Sequence, residues 1–372
     1  MKTRGAILRQ APGKFEVVDL HVDDPRQDEI RIKMVASGLC HSDDHMATGD
    51  LPVAVYPVCG GHEGGGVVES VGPNTSGWEV GDKAIFSFLP ACGKCRWCST
   101  GHQNLCDLGA NALVGSRWND PTSFRMQLED GSPVGQALGI STFAEHTTVA
   151  VDSAIKAPAD TPLERACLLG CAVGTGWGSA VTTGGVQAGD TVLILGSGGI
   201  GANAVQGAQH AGAARIIVVD PVAFKRDTAL SLGATHAVAT VEEGTQIAQS
   251  FTNGQGADVA IVTVGVITGE HIAQAFAGIR KQGTVVVTAL GNVTDVGIPV
   301  PILELILFEK KIKGSLFGSS NPRADIPKLL DLYMSGYLKL DELVTTEYAL
   351  DDINQGYEDM HSGRNIRGVI RF

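Results

Sequence analysis

The sequence predicts an α/β protein of two domains, in which a doubly wound parallel sheet accompanies an irregular, mainly β domain. The chain has 372 residues, more than one typical hydrophobic core holds, so about two domains are expected. From about residue 185 to residue 316, short β-branched runs alternate with helix-like segments. In the first 170 residues, short strand-like runs are separated by Gly, Pro and Asp turns instead.

Six apolar runs in the second half of the chain predict the parallel sheet. They are TVLILG (191–196), RIIVVD (215–220), THAVA (235–239), DVAIVTV (258–264), TVVVTAL (284–290) and KIKGSL (311–316). Between most of them lie helix-like stretches such as GANAVQGAQHAG and AFKRDTALSLG. Continuously apolar strands with intervening helices are typical of a parallel sheet that is covered on both faces.

The two ends of the chain predict one discontinuous domain. Its strand-like runs are RGAILR, FEVVDL, EIRIKMVASG, GGVVESVG and DKAIF. After residue 317 there follow a helix-like stretch, ADIPKLLDLYMSG, and a closing strand, GVIRF. Because this tail has no core of its own, we expect it to pack on the N-terminal domain. The predicted domains are therefore 1–173 with 317–372, and 174–316.

The charge and hydropathy of the chain indicate which kinds of ligand it binds. The formal net charge is -12, and clusters of Lys and Arg are scarce. Nucleic acids and anionic membranes need a basic face, so small molecules are the expected ligands. The start, MKTRGAILRQ, lacks the apolar run of a signal peptide, and no stretch approaches the roughly 20 apolar residues of a membrane span. We therefore expect a cytoplasmic protein.

The segment GSGGIG at residues 196–201 matches the dinucleotide fingerprint GxGxxG. It follows a predicted strand and opens a predicted helix, the context in which this motif is specific. Gly196 permits the tight turn, Gly198 lets the backbone approach a pyrophosphate, and Gly201 lets the helix pack on the strand. The alternative is a glycine-rich turn that binds nothing. The predicted cofactor residues of this turn are Gly196, Gly198, Gly199, Ile200 and Gly201.

Asp220, at the end of the next predicted strand, favours NAD over NADP. Its carboxylate accepts hydrogen bonds from ribose hydroxyls and repels a 2′-phosphate. Lys225 and Arg226 argue the other way, because a nearby cation receives that phosphate. On the ribose argument we expect NAD, with Asp220 and Lys225 as cofactor-binding residues.

Four cysteines with short spacing predict a structural metal site. Cys92, Cys95, Cys98 and Cys106 allow one loop to wrap a tetrahedral ion, and four thiolates leave no open position. An iron–sulfur cluster is the alternative, but the bacterial cluster motif has three residues before its last cysteine and a Pro after it. Here seven residues precede Cys106 and Asp107 follows it, so zinc is favoured.

Cys40, His62 and Cys171 form a second candidate set. Read one at a time, the two cysteines are equally consistent with buried core thiols, and the histidine with a turn residue. Their separation along the chain does not establish that they meet in space.

In combination, these motifs resemble the zinc-dependent medium-chain alcohol dehydrogenases over almost the whole chain. The resemblance rests on GLCHSDDH (38–45), GGHEGGG (60–66), the four-cysteine loop, Cys171, the dinucleotide turn and Asn365-Ile366-Arg367. It implies a doubly wound Rossmann domain that binds NAD and a GroES-like catalytic domain. A catalytic zinc with two cysteines and one histidine is the ligand set known for alcohol dehydrogenase itself.

The resemblance also implies roles for single residues. Cys40, His62 and Cys171 match the catalytic zinc ligands, with Glu63 beside the metal and Asp43 holding the His62 ring. Ser42 and His45 match a proton relay that runs from the alcohol through the nicotinamide ribose, with His45 expected at the surface. The cofactor positions implied in the same way are His41 and Arg367 for the pyrophosphate, and Thr175 and Val264 for the nicotinamide half.

The implied function is reversible hydride transfer between a primary or secondary alcohol and NAD, with two zinc ions per chain. One alternative is a nicotinoprotein, which keeps NAD bound and passes electrons to an external acceptor. Another is oxidation of a thiol–formaldehyde adduct. Ala110 stands where the glutathione-dependent branch has an arginine, which argues against glutathione as the thiol and leaves other thiols open. A zinc-held dinucleotide-sensing protein is the non-enzymatic alternative, but it predicts loss of a ligand or of the relay hydroxyl, and neither is lost.

Two further expectations concern substrate and assembly. Phe88 and Leu138 match pocket-lining positions and Leu316 lies near another, which predicts an apolar slot for an aliphatic or aromatic alcohol. The apolar stretch ILELILF (302–308) and the strand after it need cover, so we expect a homodimer or homotetramer joined through the dinucleotide domains.

Overall fold

The computed structural model describes residues 1–372 as two compact units. One unit comprises Met1–Cys171 together with Asn321–Phe372, and the other comprises Ala172–Ser320. None of the helices is long and apolar enough to cross a lipid bilayer.

The second unit is built on a parallel sheet of six strands. In spatial order the strands are His236–Val238, Arg215–Val219, Thr191–Leu195, Ala257–Val262, Ile279–Val287 and Lys311–Gly314. In the centre of the sheet Leu193 is in register with Ile217 on one side and Ala260 on the other, and all three are buried. The order and direction confirm the doubly wound sheet, and each predicted apolar run contributes one strand.

One strand is longer than its apolar run. It begins at Ile279, before the predicted start at residue 284, although the residues between are polar. Polar contacts hold the first residues of this strand in place. Arg280 Nε pairs with Asp258, and Gln282 N–H donates to Phe308 C=O at 2.7 Å. Such contacts leave no pattern in the sequence.

Helices connect the strands of the second unit. The helix that follows the glycine-rich turn begins at Gly199, directly after the strand that ends at Leu195. Another helix begins with a capping box between Thr240 and Glu243, which satisfies backbone N–H groups at its N-terminus. The helices are Ala172–Gly178, Gly199–His210, Ala223–Ser231, Val241–Phe251, Gly269–Ala277 and Ile302–Leu307, with a π-helical turn at Ser179–Gly184.

The first unit is mainly β and contains two sheets. A closed barrel contains Lys2–Leu8, Glu16–Val22, Met126–Gln127, Pro133–Gln136 and Val58–Cys59. A seven-stranded sheet runs in the order Ala154–Ala157, Lys83–Phe86, Glu63–Val71, Glu29–Gly38, Arg367–Arg371 and Val344–Tyr348, and His146–Ala150 also pairs with Glu29–Gly38. The helices of this unit are His41–Thr48, Arg96–Ser99, Leu163–Ala166, Pro322–Met334 and Ile353–His361.

Pairing at the end of strand Glu29–Gly38 positions the candidate site. On one side Gly38 is in register with Glu63, the residue that follows His62. On the other side it is in register with Val369, in the strand that begins at Arg367. Because Cys40 lies two residues beyond Gly38, three distant parts of the chain meet at this point.

Candidate functional site

The Sγ atoms of four cysteines meet in the loop between residues 92 and 106. Cys92 Sγ lies 4.0 Å from Cys98 Sγ, and Cys95 Sγ lies 4.0 Å from Cys106 Sγ. Four Zn–S bonds of about 2.3 Å place the sulfurs about 3.8 Å apart in a tetrahedron, whereas a disulfide needs about 2.0 Å. The spacing therefore fits a four-thiolate metal site, and all eight cysteines of the chain are free of disulfides.

The electrostatics of this loop favour thiolates that share a cation. The backbone N–H groups of Asp107 and Cys98 donate to Cys95 and lower the pKa of its thiol to about 6. Burial raises the pKa of Cys98 to about 12, so this thiol ionises only beside a positive charge. A metal ion supplies that charge, because a coordinating thiol is deprotonated by the metal.

The second cluster contains Cys40, His62, Glu63 and Cys171. Their candidate ligand atoms all lie within 4.8 Å of one another, and all four residues are buried. His62 Nε2 lies 3.3 Å from Cys171 Sγ, and a tetrahedral zinc would separate such atoms by about 3.6 Å. The structure thus brings together the three residues that sequence motifs singled out, with Glu63 beside them as the resemblance implies.

Asp43 lies against the His62 ring, at the nitrogen opposite the one that faces Cys171. Nδ1 of His62 lies 2.8 Å from Oδ2 of Asp43, and both side chains are buried. The other carboxylate oxygen accepts a hydrogen bond from Gly61 N–H at 2.9 Å, which fixes the carboxylate itself. With its proton on Nδ1, the ring presents the Nε2 lone pair to the cluster.

Glu63 pairs with Arg367 inside the protein. Nη2 of Arg367 donates to Oε2 of Glu63, and both side chains are buried. Burial raises the pKa of Glu63 to about 7, although the positive charge of Arg367 acts in the opposite direction. The partner of Arg367 in this structure is thus a carboxylate, and the pyrophosphate contact that the resemblance implies for it stays a prediction.

The predicted relay residues lie on the helix that starts directly after Cys40. Ser42 Oγ is 3.8 Å from Cys40 Sγ, so the hydroxyl lies beside the cluster. His41 and His45 are one helical turn apart, with ring centroids separated by 6.5 Å. The expectation that His45 lies at the surface is wrong, because its side chain is only 3% exposed. The reason is the turn after the helix, which folds the chain back over its last residues.

An apolar wall lies next to His62. The ring of Phe88 meets the His62 ring edge to face at 5.6 Å between centroids. Phe88 also packs against a buried apolar cluster that includes Leu138 and Trp118. A single tryptophan in a long loop gives no periodic signal, so the sequence did not identify Trp118. Leu316 belongs to the second unit and is half exposed.

The glycine-rich turn has the shape that a pyrophosphate site requires. A Cβ at Gly196, where φ is 91°, would lie 2.9 Å from Thr263 O, and a Cβ at Gly201 would lie 2.0 Å from Gly196 O. A Cβ at Gly198 would meet nothing within 4 Å, so the turn is open on that side. The N-terminus of the helix Gly199–His210 follows, without a side-chain cap. The turn is therefore tight where the helix packs on the strand and open where an anion would bind.

Asp220 connects the end of its strand to the glycine-rich turn. One carboxylate oxygen accepts from Ser197 N–H at 2.8 Å and the other accepts from Val222 N–H at 2.9 Å. Each oxygen keeps a further acceptor position for a ribose hydroxyl. Arg226 Nη1 donates to the carbonyls of Asp220 and Pro221, at 2.8 and 3.0 Å.

The remaining predicted cofactor residues lie in the same unit. Lys225 is on the helix Ala223–Ser231, one residue before Arg226. Thr175 is buried on the helix Ala172–Gly178, and Val264 follows the strand Ala257–Val262 and is partly buried.

The sequence matches two family descriptions. Residues 26–159 match "Alcohol dehydrogenase GroES-like domain", and residues 199–335 match "Zinc-binding dehydrogenase". Among curated proteins, the chain is 50% identical over 370 residues to the "NDMA-dependent alcohol dehydrogenase" of Amycolatopsis methanolica, covering 100% of this chain and 99% of that protein. It is 44% identical over 372 residues to "Alcohol dehydrogenase B" of Mycobacterium tuberculosis, with the same coverage.

Solved structures show the same fold. An alcohol dehydrogenase zinc-binding domain protein from Burkholderia ambifaria superposes with a TM-score of 0.93 at 31% identity, covering 100% of this chain and 99% of that one. The benzyl alcohol dehydrogenase of Acinetobacter calcoaceticus gives a TM-score of 0.91 at 28% identity, with the same coverage. The similarity therefore spans both units.

Proposed function

The chain belongs to the zinc-dependent medium-chain alcohol dehydrogenases, and from this premise we propose which of its residues bind zinc and cofactor and which transfer the proton. It is an oxidoreductase that acts on alcohols and uses zinc and a nicotinamide cofactor. We assign the catalytic zinc to Cys40, His62 and Cys171. The observation that supports it is the meeting of these three buried ligand groups, with His62 Nε2 turned toward them by Asp43.

A zinc ion on these three ligands keeps one position open and lowers the pKa of a hydroxyl that binds there. Glu63 and Arg367 form a compensated pair beside the ligands, so the carboxylate adds no unpaired charge to the buried site. Phe88 presents an apolar edge next to His62, which favours a substrate with a hydrocarbon body. Aliphatic or aromatic primary and secondary alcohols are the substrate class that we propose.

Ser42 is proposed to accept the proton that the alcohol loses. Its hydroxyl lies 3.8 Å from Cys40 Sγ, on the helix that carries His41 and His45. His45, buried on the same helix, is the residue that we propose to hold the proton next. Hydride acceptance is the chemistry that the nicotinamide supplies when it is bound.

The second zinc is assigned to Cys92, Cys95, Cys98 and Cys106. Four thiolates complete the coordination of zinc and leave no site for substrate, so its role is to hold the loop. The support is the 4.0 Å spacing of the two sulfur pairs.

NAD is the proposed cofactor, and Asp220 is the residue that selects it. Asp220→Asn removes the negative charge but keeps a side-chain acceptor for the backbone N–H of Ser197 or Val222. We expect the ratio of kcat/KM with NADP to kcat/KM with NAD to rise about tenfold or more, since 1.4 kcal/mol of relieved repulsion already gives a factor of ten. Cofactor titrations of both proteins measure this ratio. A wild-type enzyme that prefers NADP would contradict the proposal that Asp220 selects NAD.

The similarity to the NDMA-dependent alcohol dehydrogenase of Amycolatopsis methanolica favours a second mode of cofactor use. In this nicotinoprotein mode NAD stays bound through turnover and an external acceptor removes the electrons. Gel filtration followed by absorbance of the protein peak tests it: retained nicotinamide and turnover with NDMA support the nicotinoprotein. A peak without nicotinamide, and turnover that requires added NAD, support the exchanging dehydrogenase.

Assembly through the dinucleotide units is a further proposal. The short helix Ile302–Leu307 exposes Ile302, Leu303, Ile306 and Leu307 to between 62% and 71%, and strand Lys311–Gly314 is an edge of its sheet. A surface of this kind needs a partner. We expect a homodimer or homotetramer in sedimentation at micromolar concentration, and Ile306→Asp should shift it toward monomer. A monomeric wild-type chain would contradict the proposal.

The function itself is tested by oxidation of a panel of aliphatic and aromatic alcohols by zinc-loaded protein. Aldehyde or ketone must appear in step with reduction of NAD, or of NDMA if the cofactor stays bound. Removal of zinc with a chelator should abolish both. Activity that survives complete removal of the metal would exclude the proposed mechanism.

A further inference from the structure

The side chain of Arg226 holds the backbone of the turn that presents Asp220. This turn, residues 220–222, joins the strand Arg215–Val219 to the helix Ala223–Ser231. Nη1 of Arg226 donates to the carbonyl oxygen of Asp220 at 2.8 Å and to that of Pro221 at 3.0 Å. One Nη nitrogen carries two N–H groups, so it serves both carbonyls at once. The guanidinium therefore ties the first turn of the helix to the end of the strand.

Asp220 is thus held at each of its polar groups. Its N–H donates to Val238 C=O at 3.0 Å, in the neighbouring strand. Its two carboxylate oxygens accept the backbone N–H groups of Ser197 and Val222. The contact from Arg226 adds the carbonyl oxygen, which none of these other contacts fixes.

The turn has little other support on the side of the helix. Pro221 has no N–H group with which to form a hydrogen bond. The helix Ala223–Ser231 begins after Val222 without a hydrogen bond from a capping side chain. The two bonds from Arg226 take the place of such a cap, because they connect the helix to the residues just before it.

These contacts favour a role for Arg226 other than the one that the sequence suggested. A cation near Asp220 argued for reception of the 2′-phosphate of NADP. Arginine typically binds a phosphate through two parallel N–H···O bonds. An end-on pair of such bonds needs both Nη nitrogens, and Nη1 of Arg226 already donates to two carbonyls. The geometry is therefore that of a backbone support.

We propose that Arg226 is a positioning residue for NAD, which keeps the Asp220 carboxylate where it accepts hydrogen bonds from the ribose hydroxyls. The inference rests on the NAD site proposed above, in which Asp220 selects the cofactor. A hydrogen bond needs its donor and acceptor within about 3 Å of each other, so a turn that moves weakens it. The ribose in question is that of adenosine, remote from the hydride that is transferred. Arg226 therefore acts on cofactor binding and not on the chemical step.

Arg226→Met removes the donors and keeps a long side chain. We expect Kd for NADH to rise about tenfold, the effect that loss of one hydrogen bond to a charged group produces. The KM for the alcohol and kcat at saturating NAD should stay within about twofold of wild type, as expected for a residue that acts on cofactor binding alone. Fluorescence titration with NADH measures Kd. If NAD stays bound through turnover, the rate at which labelled NAD replaces it is measured instead and should rise.

Arg226→Lys separates the geometry of the side chain from its charge. Lysine keeps the positive charge but does not reproduce the rigid, planar guanidinium. Kd for NADH should therefore stay several-fold above that of wild type, and a wild-type Kd in this variant would overturn the inference. Arg215→Met is the matched control. It removes a positive charge from the other end of the same strand, where the guanidinium lies 4.3 Å from the centre of the Phe251 ring, and should leave Kd unchanged.

A double-mutant cycle tests whether Arg226 acts through Asp220. In an Asp220→Ala background the carboxylate is gone, so adding Arg226→Met should raise Kd for NADH by less than about threefold. Fully additive losses would overturn the inference. Thermal unfolding checks that each variant is folded, and Arg226→Lys carries the test if Arg226→Met is not.

The inference and the NAD site proposed above fail in different ways. A wild-type Kd for NADH in Arg226→Met, with a raised preference for NADP in Asp220→Asn, would overturn the inference and leave the selection of NAD by Asp220 intact. An unchanged preference in Asp220→Asn would remove the role of Asp220 itself, and the inference with it.

Discussion

Cys171→Ser is expected to give a folded protein that retains less than about 1% of wild-type kcat/KM, whereas Cys98→Ser is expected to lose the fold. Cys171 belongs to the set with an open position, and removal of even an outer-shell partner of a metal ligand typically costs 10–100-fold. Cys98 belongs to the closed four-thiolate loop, where bound zinc contributes on the order of 10 kcal/mol to folding. Thermal unfolding and steady-state kinetics of the two variants separate these outcomes.

Cys167→Ser is the matched control for both variants. Cys167 is a buried free cysteine outside both clusters, and its Sγ lies 3.8 Å from Glu164 O, a carbonyl that a serine hydroxyl can also bind. The control should therefore remain folded and active. If Cys98→Ser were as stable as this control, the loop would not have the structural role proposed for it.

Ser42→Ala is expected to bind zinc and cofactor as the wild type does and to turn over about 10² to 10⁴ times more slowly, the usual contribution of positioned proton transfer. The Ser42 hydroxyl lies 3.8 Å from Cys40 Sγ, close to where substrate must bind. Ser42→Thr, which keeps the hydroxyl, should retain most of the activity. Full activity in Ser42→Ala would show that the proton leaves by another route.

His45→Gln should have a milder effect than Ser42→Ala, because His45 acts later in the relay. A surface position would have allowed added imidazole to replace the missing ring. Since the His45 side chain is 3% exposed, we expect imidazole to restore little activity. Kinetics of His45→Gln with and without imidazole check this, and strong rescue would mean that the site opens to solvent during turnover.

The dinucleotide unit was predictable because the central strands of its sheet are largely buried. Runs such as TVLILG contain only residues that suit such a strand, and this run lies between Asp190 and the glycine-rich turn. The glycine-rich turn was equally clear, since its shape depends on which residues lack a Cβ. Local rules of this kind act within a few residues and can be seen in the sequence.

The catalytic cluster could not be derived from local rules. His62 and Cys171 are 109 residues apart in the chain. Cys40 and His62 come together because Gly38 and Glu63, which lie near them in sequence, pair in register in the sheet. Family resemblance supplied this set, because spacing along the chain carries no information about it. The cysteine loop differs, since its four ligands fall within one short segment.

Side-chain pairing was the least predictable feature. The Glu63–Arg367 contact joins residues 304 positions apart, and the burial of His45 depends on a turn at Gly49 that no periodic pattern marks. Such contacts depend on tertiary packing and become visible only in the structure.

The zinc content of the purified chain tests the central claim most directly. Elemental analysis should find two zinc ions per wild-type chain, held by Cys92, Cys95, Cys98 and Cys106 and by Cys40, His62 and Cys171. Cys171→Ser should then retain one zinc ion, because its four-cysteine loop is intact. A wild-type chain with one zinc ion or none, after expression with sufficient zinc, would contradict the division of the seven ligands into a structural and a catalytic site.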